Sequence, residues 1–376
     1  METAPRAVDE AREIMERFGR DTGLTSDAPP RRYLWTDAFA VCNYLGLYEA
    51  SGEAVHLDHA VALVDQVHAV LGRHRADDPR SGWLSGLDDA EGARHPTAGG
   101  LRIGKPDPER APGEPLDAGR EWDRDGQYYH YLTRWMHALS RMARVSGRGQ
   151  YHRWAVELAR AAHGAFVRRT DGGWRMAWKM SVDLSRPLVP SMGSHDPLDG
   201  LLTLCELYAG GADGEAVLEA EIGELAEMCE GRRWATDDPL GLGGLLTDAG
   251  RLHALRGAWH RAAPVEGARG ELLLTTLLQE SLIGLRAFAA TGSLRAPAAR
   301  RLAFRELGLA VGIAAVERAG LATAAGELNR FVPLRPVILA FWDTPEHHRP
   351  SSWTDHRDIN EVMLATALAP AGYLDL

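Results

Sequence analysis

The chain has 376 residues, 45% of them hydrophobic and 25% charged, with a formal net charge of -10 and a pI near 5.8. That composition is ordinary for a globular protein and excludes a fibre or a disordered chain. The acidic balance argues against a nucleic-acid partner, which needs a basic face to release counterions, and a neutral or cationic partner fits better.

At this length two domains are the default unless the chain closes on itself as a barrel or toroid. The start, Met1-Glu2-Thr3-Ala4-Pro5, has no basic or apolar leader. No later apolar run reads as a membrane span, so a cytoplasmic monomer or homodimer with no membrane partner is expected. Helical periodicity dominates, with apolar residues returning every three or four positions. In chain order it predicts helices over about 6–18, 37–50, 54–72, 126–145, 151–168, 198–209, 215–230, 267–290, 298–319 and 357–368. Shorter ones are expected near 240–256, 321–328 and 334–341, roughly twelve in all. Stops follow many of them at Ser51-Gly52, Ser146-Gly147, Gly210-Gly211, Thr291-Gly292 and Ala319-Gly320, where glycine suits the left-handed turn that closes a helix. Cys42, Cys205 and Cys229 each lie inside an apolar run. Their spacing makes neither a disulfide framework nor a zinc site, and reduced core thiols are expected.

The helices also come in a repeated order. A segment opening on Trp or Asp leads to an apolar helix, a glycine turn and a second, more charged helix. Trp35-Thr36-Asp37 through Ser51-Gly52 is one such unit, and Trp122-Asp123-Arg124-Asp125 through Ser146-Gly147 another. His195-Asp196-Pro197 through Tyr208-Ala209-Gly210 begins a third, and Trp353-Thr354-Asp355 a last. The inner helix of each pair should be apolar nearly all round and the outer one amphipathic. This pattern resembles the six-hairpin glycosidase superfamily over most of the chain, by architecture and without a diagnostic motif. The resemblance implies an all-α fold, a single (α/α)6 toroid over 1–376 with a loop insertion at 73–121. It also implies a small-molecule or oligosaccharide substrate, bound in a funnel ringed by the loops that precede the inner helices.

Two segments interrupt the helical pattern. Residues 73–121 are rich in Pro and Gly and poor in apolar runs, which reads as a long loop held by packing, a kind usually functional. Residues 174–185 alternate large apolar residues at even positions with mostly polar ones at odd positions. That period of two predicts a half-buried strand presenting Arg175, Lys179, Ser181 and Asp183 on its polar face. Both segments are expected over the same funnel mouth.

Positions just before or within the first turn of the inner helices collect Asp37, Asp123, Asp125, His195, Asp196, Asp199, Asp237, Asp238, Asp355, His356 and Asp358. Helix capping accounts for many acids in such places, and Asp196-Pro197 and Asp238-Pro239 fit an N-cap followed by proline. Capping does not account for their company. On a helix over 126–145, Gln127, His130, Arg134 and His137 share one stripe opposite Leu132, Trp135, Met136 and Leu139. A polar stripe on an inner helix needs a polar place to face, the funnel or, for His137 equally, solvent. Asn43, an amide inside the apolar run 39–45, needs buried partners. The run 191–200 puts His195, Asp196 and Asp199 within five positions, where neighbouring acids or an acid beside a histidine can separate into an acid and a base. Among eleven tryptophans, Trp35, Trp122 and Trp178 suit stacking on sugar rings, while others serve the core. Glu346-His347-His348 with His356 lacks the i, i+4 histidine pair of a metal helix and reads as a solvated loop. Neither a metal nor a tightly bound cofactor is expected.

The leading expectation is a glycoside hydrolase with Asp125 or Asp123 opposite Asp196 or Asp199 as paired carboxylates, assisted by His130 and His195. Substrate contacts are assigned to Trp35, Asp37, Asn43, Trp122, Gln127, Tyr128, Arg134, Trp178, Lys179 and His356. A rival keeps the fold and uses His130, His195 and Tyr128 for epimerase or lyase chemistry. A third alternative is a non-hydrolytic binding protein or a cyclase with an aromatic funnel.

Overall fold

The computed structural model describes residues 3–211, 215–259, 267–324 and 326–376. Twelve helices of at least nine residues are found there: α1 (Thr3–Asp21), α2 (Leu34–Ser51), α3 (Ala54–Leu71), α4 (Tyr129–Ser146), α5 (Gly149–Phe166), α6 (Asp196–Gly210), α7 (Glu215–Cys229), α8 (Pro239–Trp259), α9 (Gly267–Thr291), α10 (Ala303–Arg318), α11 (Leu334–Trp342) and α12 (Arg357–Leu368). The near-240 helix is a long one rather than a short one. The helix expected from 298 starts at 303, after a single 3-10 turn at Ala298–Arg300. The one expected over 321–328 is split into Leu321–Ala324 and the 3-10 segment Gly326–Arg330, and residue 325 between them lies outside the described residues. Gly147, Gly292 and Gly320 take φ of 69°, 66° and 68° after their helices, the left-handed closure the sequence signalled.

The packing separates two compact units. The larger holds Gly19–Leu45 and Ala54–Glu230. Within it α6 is buried on every side from Asp196 to Tyr208, as an inner helix should be. Helix α5 buries only Tyr151, Ala155, Leu158, Ala159, Ala162, His163 and Phe166, an i, i+4, i+7 stripe that marks an outer helix. Cys42 and Cys205 are buried in this core and form no disulfide.

The strand expected over 174–185 is broken, because its two halves find different partners. Here β1 is Gln127–Tyr128, β2 Val167–Thr170, β3 Gly173–Met176, β4 Lys179–Met180 and β5 Pro187–Val189. Strand β3 pairs with β2 as a hairpin, whereas β4 sits between β1 and β5, all antiparallel. The period-two face survives only in part. Arg175 and Asp183 are exposed, but Lys179 and Ser181 are turned inward and buried.

The long loop contains two short helices, Asp89–Arg94 and Ala118–Glu121, and is otherwise irregular. Buried polar staples hold it to the sheet. Arg102 donates to Asp125 (2.5 Å), to Arg73 O (2.7 Å) and to Val70 O (2.7 Å). Glu109 accepts from Val182 N (2.7 Å) and from Arg80, which also reaches Asp183. The loop and the 174–185 segment are therefore joined.

The second unit holds Met1–Phe18, Gly46–Glu53 and Gly231–Leu376. Its α8 and α10 approach at glycine backbones: a Cβ on Gly243 would lie 2.2 Å from Gly308 O, and one on Gly312 2.3 Å from Gly243 O. Replacing Gly312 by Ala must push the helices apart, with an expected loss of about 1–3 kcal/mol or more in urea unfolding. An unchanged midpoint would contradict the close approach. Helix α9 qualifies the reading that no run could span a membrane, since Arg269–Arg295 is long and apolar enough by length and composition, with a third of its window buried (33%). Its Leu274, Leu277, Leu285 and Phe288 are buried.

Candidate active site

The candidate site lies within the larger unit. Helix α4 begins at Tyr129 because residues 127–128 are taken by the pairing of β1 with β4. Gln127 therefore does not join the helical stripe expected of it. It is fully buried, its amide donating to Gly99 O (3.0 Å) and Val182 O (2.8 Å) and accepting from Leu101 N (2.9 Å), which staples loop to strand. His130, Arg134 and His137 do share a stripe, and it faces α6. His130 Nδ1 lies 3.7 Å from Asp196 Oδ1, Arg134 Nη1 2.6 Å from Asp199 Oδ1, and His137 Nδ1 2.8 Å from Glu206 Oε2. The partners climb both helices in the same order, so α4 and α6 run parallel with their N-terminal turns side by side. His137 is buried at this contact and does not face solvent.

The two acids at the head of α6 live differently. Asp199 accepts from Thr133 Oγ1 (2.5 Å) and from Arg134. Asp196 is not the N-cap its proline suggested: His195 holds that position, Asp196 is the first helical residue, and its Oδ2 has no hydrogen-bond partner. Burial, reinforced by the charge of Asp199 and opposed by Arg134, pushes the Asp196 carboxyl up to about 7. Across from it, burial pulls the His130 imidazole down to about 4, and its Nδ1 also lacks a hydrogen-bond partner. The His130 side chain is 29% exposed and that of Asp196 8%, so a ligand can reach the pair through His130.

An aromatic wall surrounds this dyad. His130 stacks on Tyr128 (5.3 Å, 26°) and lies parallel to Trp178 (6.2 Å, 15°), and Trp122 meets Trp178 edge-on at 5.0 Å. Trp122 is 56% exposed, placing it at the rim. Two residues that sequence reasoning did not select complete the wall: Tyr33 and Tyr131 share a hydroxyl contact of 2.6 Å across 98 positions. Burial raises Tyr33 to about 12 and holds Tyr131 above its ordinary range, so both phenols stay protonated. Tyr128 is 2% exposed, and its hydroxyl has no partner. The signal for Tyr33 was slight, its place two residues before the Trp35-Thr36-Asp37 opening.

Other expected site residues have structural employment. Asp125 is fully buried and accepts from Arg102, Gly104 N (3.1 Å), Lys105 N (3.4 Å) and Gly126 N (3.0 Å). Lys179 Nζ is fully buried and donates to Glu121 O, Glu121 Oε1 and Arg124 O at 2.8–2.9 Å. Both are saturated. Asp37 accepts from Tyr33 N (2.8 Å) and Arg32 Nη1 (3.3 Å), bracing the start of α2. Trp35 packs on Phe39 at 4.6 Å and is 8% exposed, a core position, and Asn43 is likewise buried. Asp123 is exposed, and His195 is half-buried at its N-cap. His356 belongs to the other unit, exposed ahead of α12, with its ring 5.8 Å from Phe304.

In that second unit Asp238 does cap its helix, accepting from Gly241 N at 3.0 Å. His347 and His348 are not solvated there: they bond to Phe341 O and Trp342 O and stack on Phe341 and Trp353. A cavity of about 530 Å³ in the same unit is lined by Glu10, Arg17, Asp343, His348, Trp353 and Glu361 among others. Arg17 and Arg357 both answer Glu361 there. Among the described residues no three His, Cys, Asp or Glu side chains gather as a metal ion requires.

No protein-family model matches this sequence, and no curated protein matches it. Solved structures do. An alpha-1,6-mannanase from Salegentibacter sp. aligns over 97% of this chain and 99% of its own, with TM-score 0.57 and 13% identity. The cellobiose 2-epimerase of Spirochaeta thermophila aligns over 89% and 86% with TM-score 0.51 and 14% identity. A sugar epimerase from a ruminal bacterium aligns over 89% and 87% with TM-score 0.51 and 12% identity. At such identities the likeness shows the fold alone, the six-hairpin (α/α)6 fold of these structures.

Proposed function

We propose that the protein is a carbohydrate-active enzyme that moves a proton beside a sugar carbonyl, as epimerases and isomerases of reducing sugars do. The observation that carries this reading is the His130–Asp196 pair, 3.7 Å apart, each with an unpartnered buried atom, inside an aromatic wall. A carboxylate whose proton affinity is raised to about 7 is a stronger base than an ordinary aspartate. Ionised Asp196 takes the proton from the carbon next to the open-chain carbonyl, and the electron pair moves to the carbonyl oxygen. Of the neutral phenols Tyr33 and Tyr131, one donates to the other, and the remaining O–H can donate to that oxygen as its charge grows. In epimerisation the proton then returns to the same carbon on its other face; in isomerisation it returns to the neighbouring carbon while the hydroxyl proton of the first carbon passes to the former carbonyl oxygen. His130, neutral at pH 7, is placed to relay it. Trp178 and Trp122 suit the apolar faces of the sugar rings.

Hydrolysis is the second reading, favoured by the mannanase likeness and by the structure of that mannanase, as an inactive variant, in complex with alpha-1,6-mannotriose. Protonated Asp196 would there be the acid. That mechanism needs a second, available carboxylate. Asp199 is engaged by Thr133 and Arg134 and Asp125 by Arg102, which leaves exposed Asp123 for that role; the unpartnered His130–Asp196 pair favours proton transfer.

Incubating the protein with mannose, glucose or cellobiose in deuterium oxide tests this directly. Deuterium should enter at C2, at a rate that rises with pH and levels off above about 7, since Asp196 must be ionised. Release of aryl alcohol from glycosides, lost as pH rises through 7 and without exchange at C2, would replace this reading by the hydrolase.

A further inference from the structure

The long loop brings one cation to the aromatic wall. The carbonyl of Lys105 accepts from Arg75 Nη1 (2.6 Å) and its amide N–H is directed at Asp125 (3.4 Å), so its backbone is fixed. Its Nζ lies 5.5 Å from the Tyr33 ring centroid, that ring 5.6 Å from Tyr131, and Tyr131 4.9 Å from His130. Lys105 thus stands at one end of the surface whose other end is the His130–Asp196 pair. The neighbouring cations of the loop and sheet are answered: Arg102 by Asp125 (2.5 Å), Lys179 by Glu121 (2.9 Å), Arg110 by Glu121 (3.1 Å) and Arg124 by Glu114 (2.5 Å). Lys105 is not. Among the described residues its ammonium has no hydrogen-bond partner and no carboxylate within the 4.0 Å of an ion pair, and Asp123 and Asp125 act on it only from further off.

A half-buried ammonium without a counterion is costly to hold. That cost is relieved when an anion arrives with the ligand. We propose that Lys105 is the carboxylate-binding group of the substrate site, so that the sugar taken along this wall is a uronic acid or carries one as its neighbour. The proposal rests on the sugar-site reading above and adds its charge class. One lysine, with exposed Asp123 nearby, matches a single carboxylate better than a doubly charged phosphate. The substituent is bound away from the reacting carbon, because two aromatic rings separate Lys105 from His130.

Ligand-observed NMR titration of the full chain with D-glucuronate, D-glucose and glucose 6-phosphate tests this without requiring turnover. Glucuronate should bind about tenfold more tightly than glucose, the effect of one charge-assisted hydrogen bond in a partly buried site. Lys105→Gln should erase that preference and leave glucose binding in place, which also reports that the variant is folded. Lys105→Arg should keep most of the preference. Equal binding of glucuronate and glucose, or a preference that survives Lys105→Gln, overturns the proposal. Glucose 6-phosphate binding more tightly than glucuronate overturns the carboxylate assignment. Glucuronate binding with no deuterium exchange on any sugar would overturn the proton-transfer chemistry and leave the anion site standing, whereas failure of all three sugars to bind would overturn both.

Discussion

Asp196→Asn should lose about 10²–10⁴-fold in turnover, the usual contribution of a positioned acid or base, while becoming the more stable protein at high pH. The carboxyl is at about 7 when folded against 3.8 in the open chain. The folded state therefore holds more protons than the unfolded one between those values. Stability from this group is complete below 3.8 and is lost as pH rises through about 7. For wild type this amounts to roughly 2–3 kcal/mol between pH 5 and 8, at about 1.4 kcal/mol per unit over the affected range. Asparagine does not titrate, so thermal unfolding of Asp196→Asn compared with wild type should show an advantage that grows from pH 5 to pH 8. A constant or shrinking difference would mean that Asp196 is not the buried acid described.

Asp125→Ala should do the opposite: a large loss of stability with no change in the pH midpoint of whatever activity remains. The substitution strands the buried Arg102 guanidinium and three backbone N–H groups at Gly104, Lys105 and Gly126. Breaking one side of a buried pair costs about 3–5 kcal/mol, to be read in urea unfolding. Adding Arg102→Met should recover part of it, because the uncompensated charge is gone. If Asp125→Ala unfolds within about 1 kcal/mol of wild type yet loses turnover, the anchoring role is wrong and a direct part in the chemistry must be restored to it.

These two aspartates looked alike in the sequence. Each lies at the head of an inner helix in acidic and aromatic company, and the spacing of residue types does not say which will be met by an arginine. Arg102 comes from a loop without periodicity, 23 positions before Asp125, so no local pattern could pair them. Tyr33 and Tyr131 were hidden for the same reason, being joined across 98 residues. His130 and Arg134 were legible because a helix imposes its own geometry: a four-residue spacing puts both on one face, whatever that face meets. Lys179 misled by the same logic applied to a strand. Period two assigned it to a polar face, and the tertiary structure turned that face onto Glu121 and the carbonyl of Arg124.

What the sequence by itself determined is therefore what is local and periodic. That covers the helices and their glycine stops, the apolar inner and amphipathic outer faces, the hairpin order that resembles the six-hairpin toroid, and the stripe that aims His130 and Arg134 at one neighbour. Tertiary structure decided what depends on burial and on partners distant in the chain. It broke the 174–185 strand, set Asp125, Gln127 and Lys179 into the scaffold, and left Asp196 and His130 without partners. Proton affinity follows desolvation and nearby charge, and neither exists until α4 and α6 lie side by side.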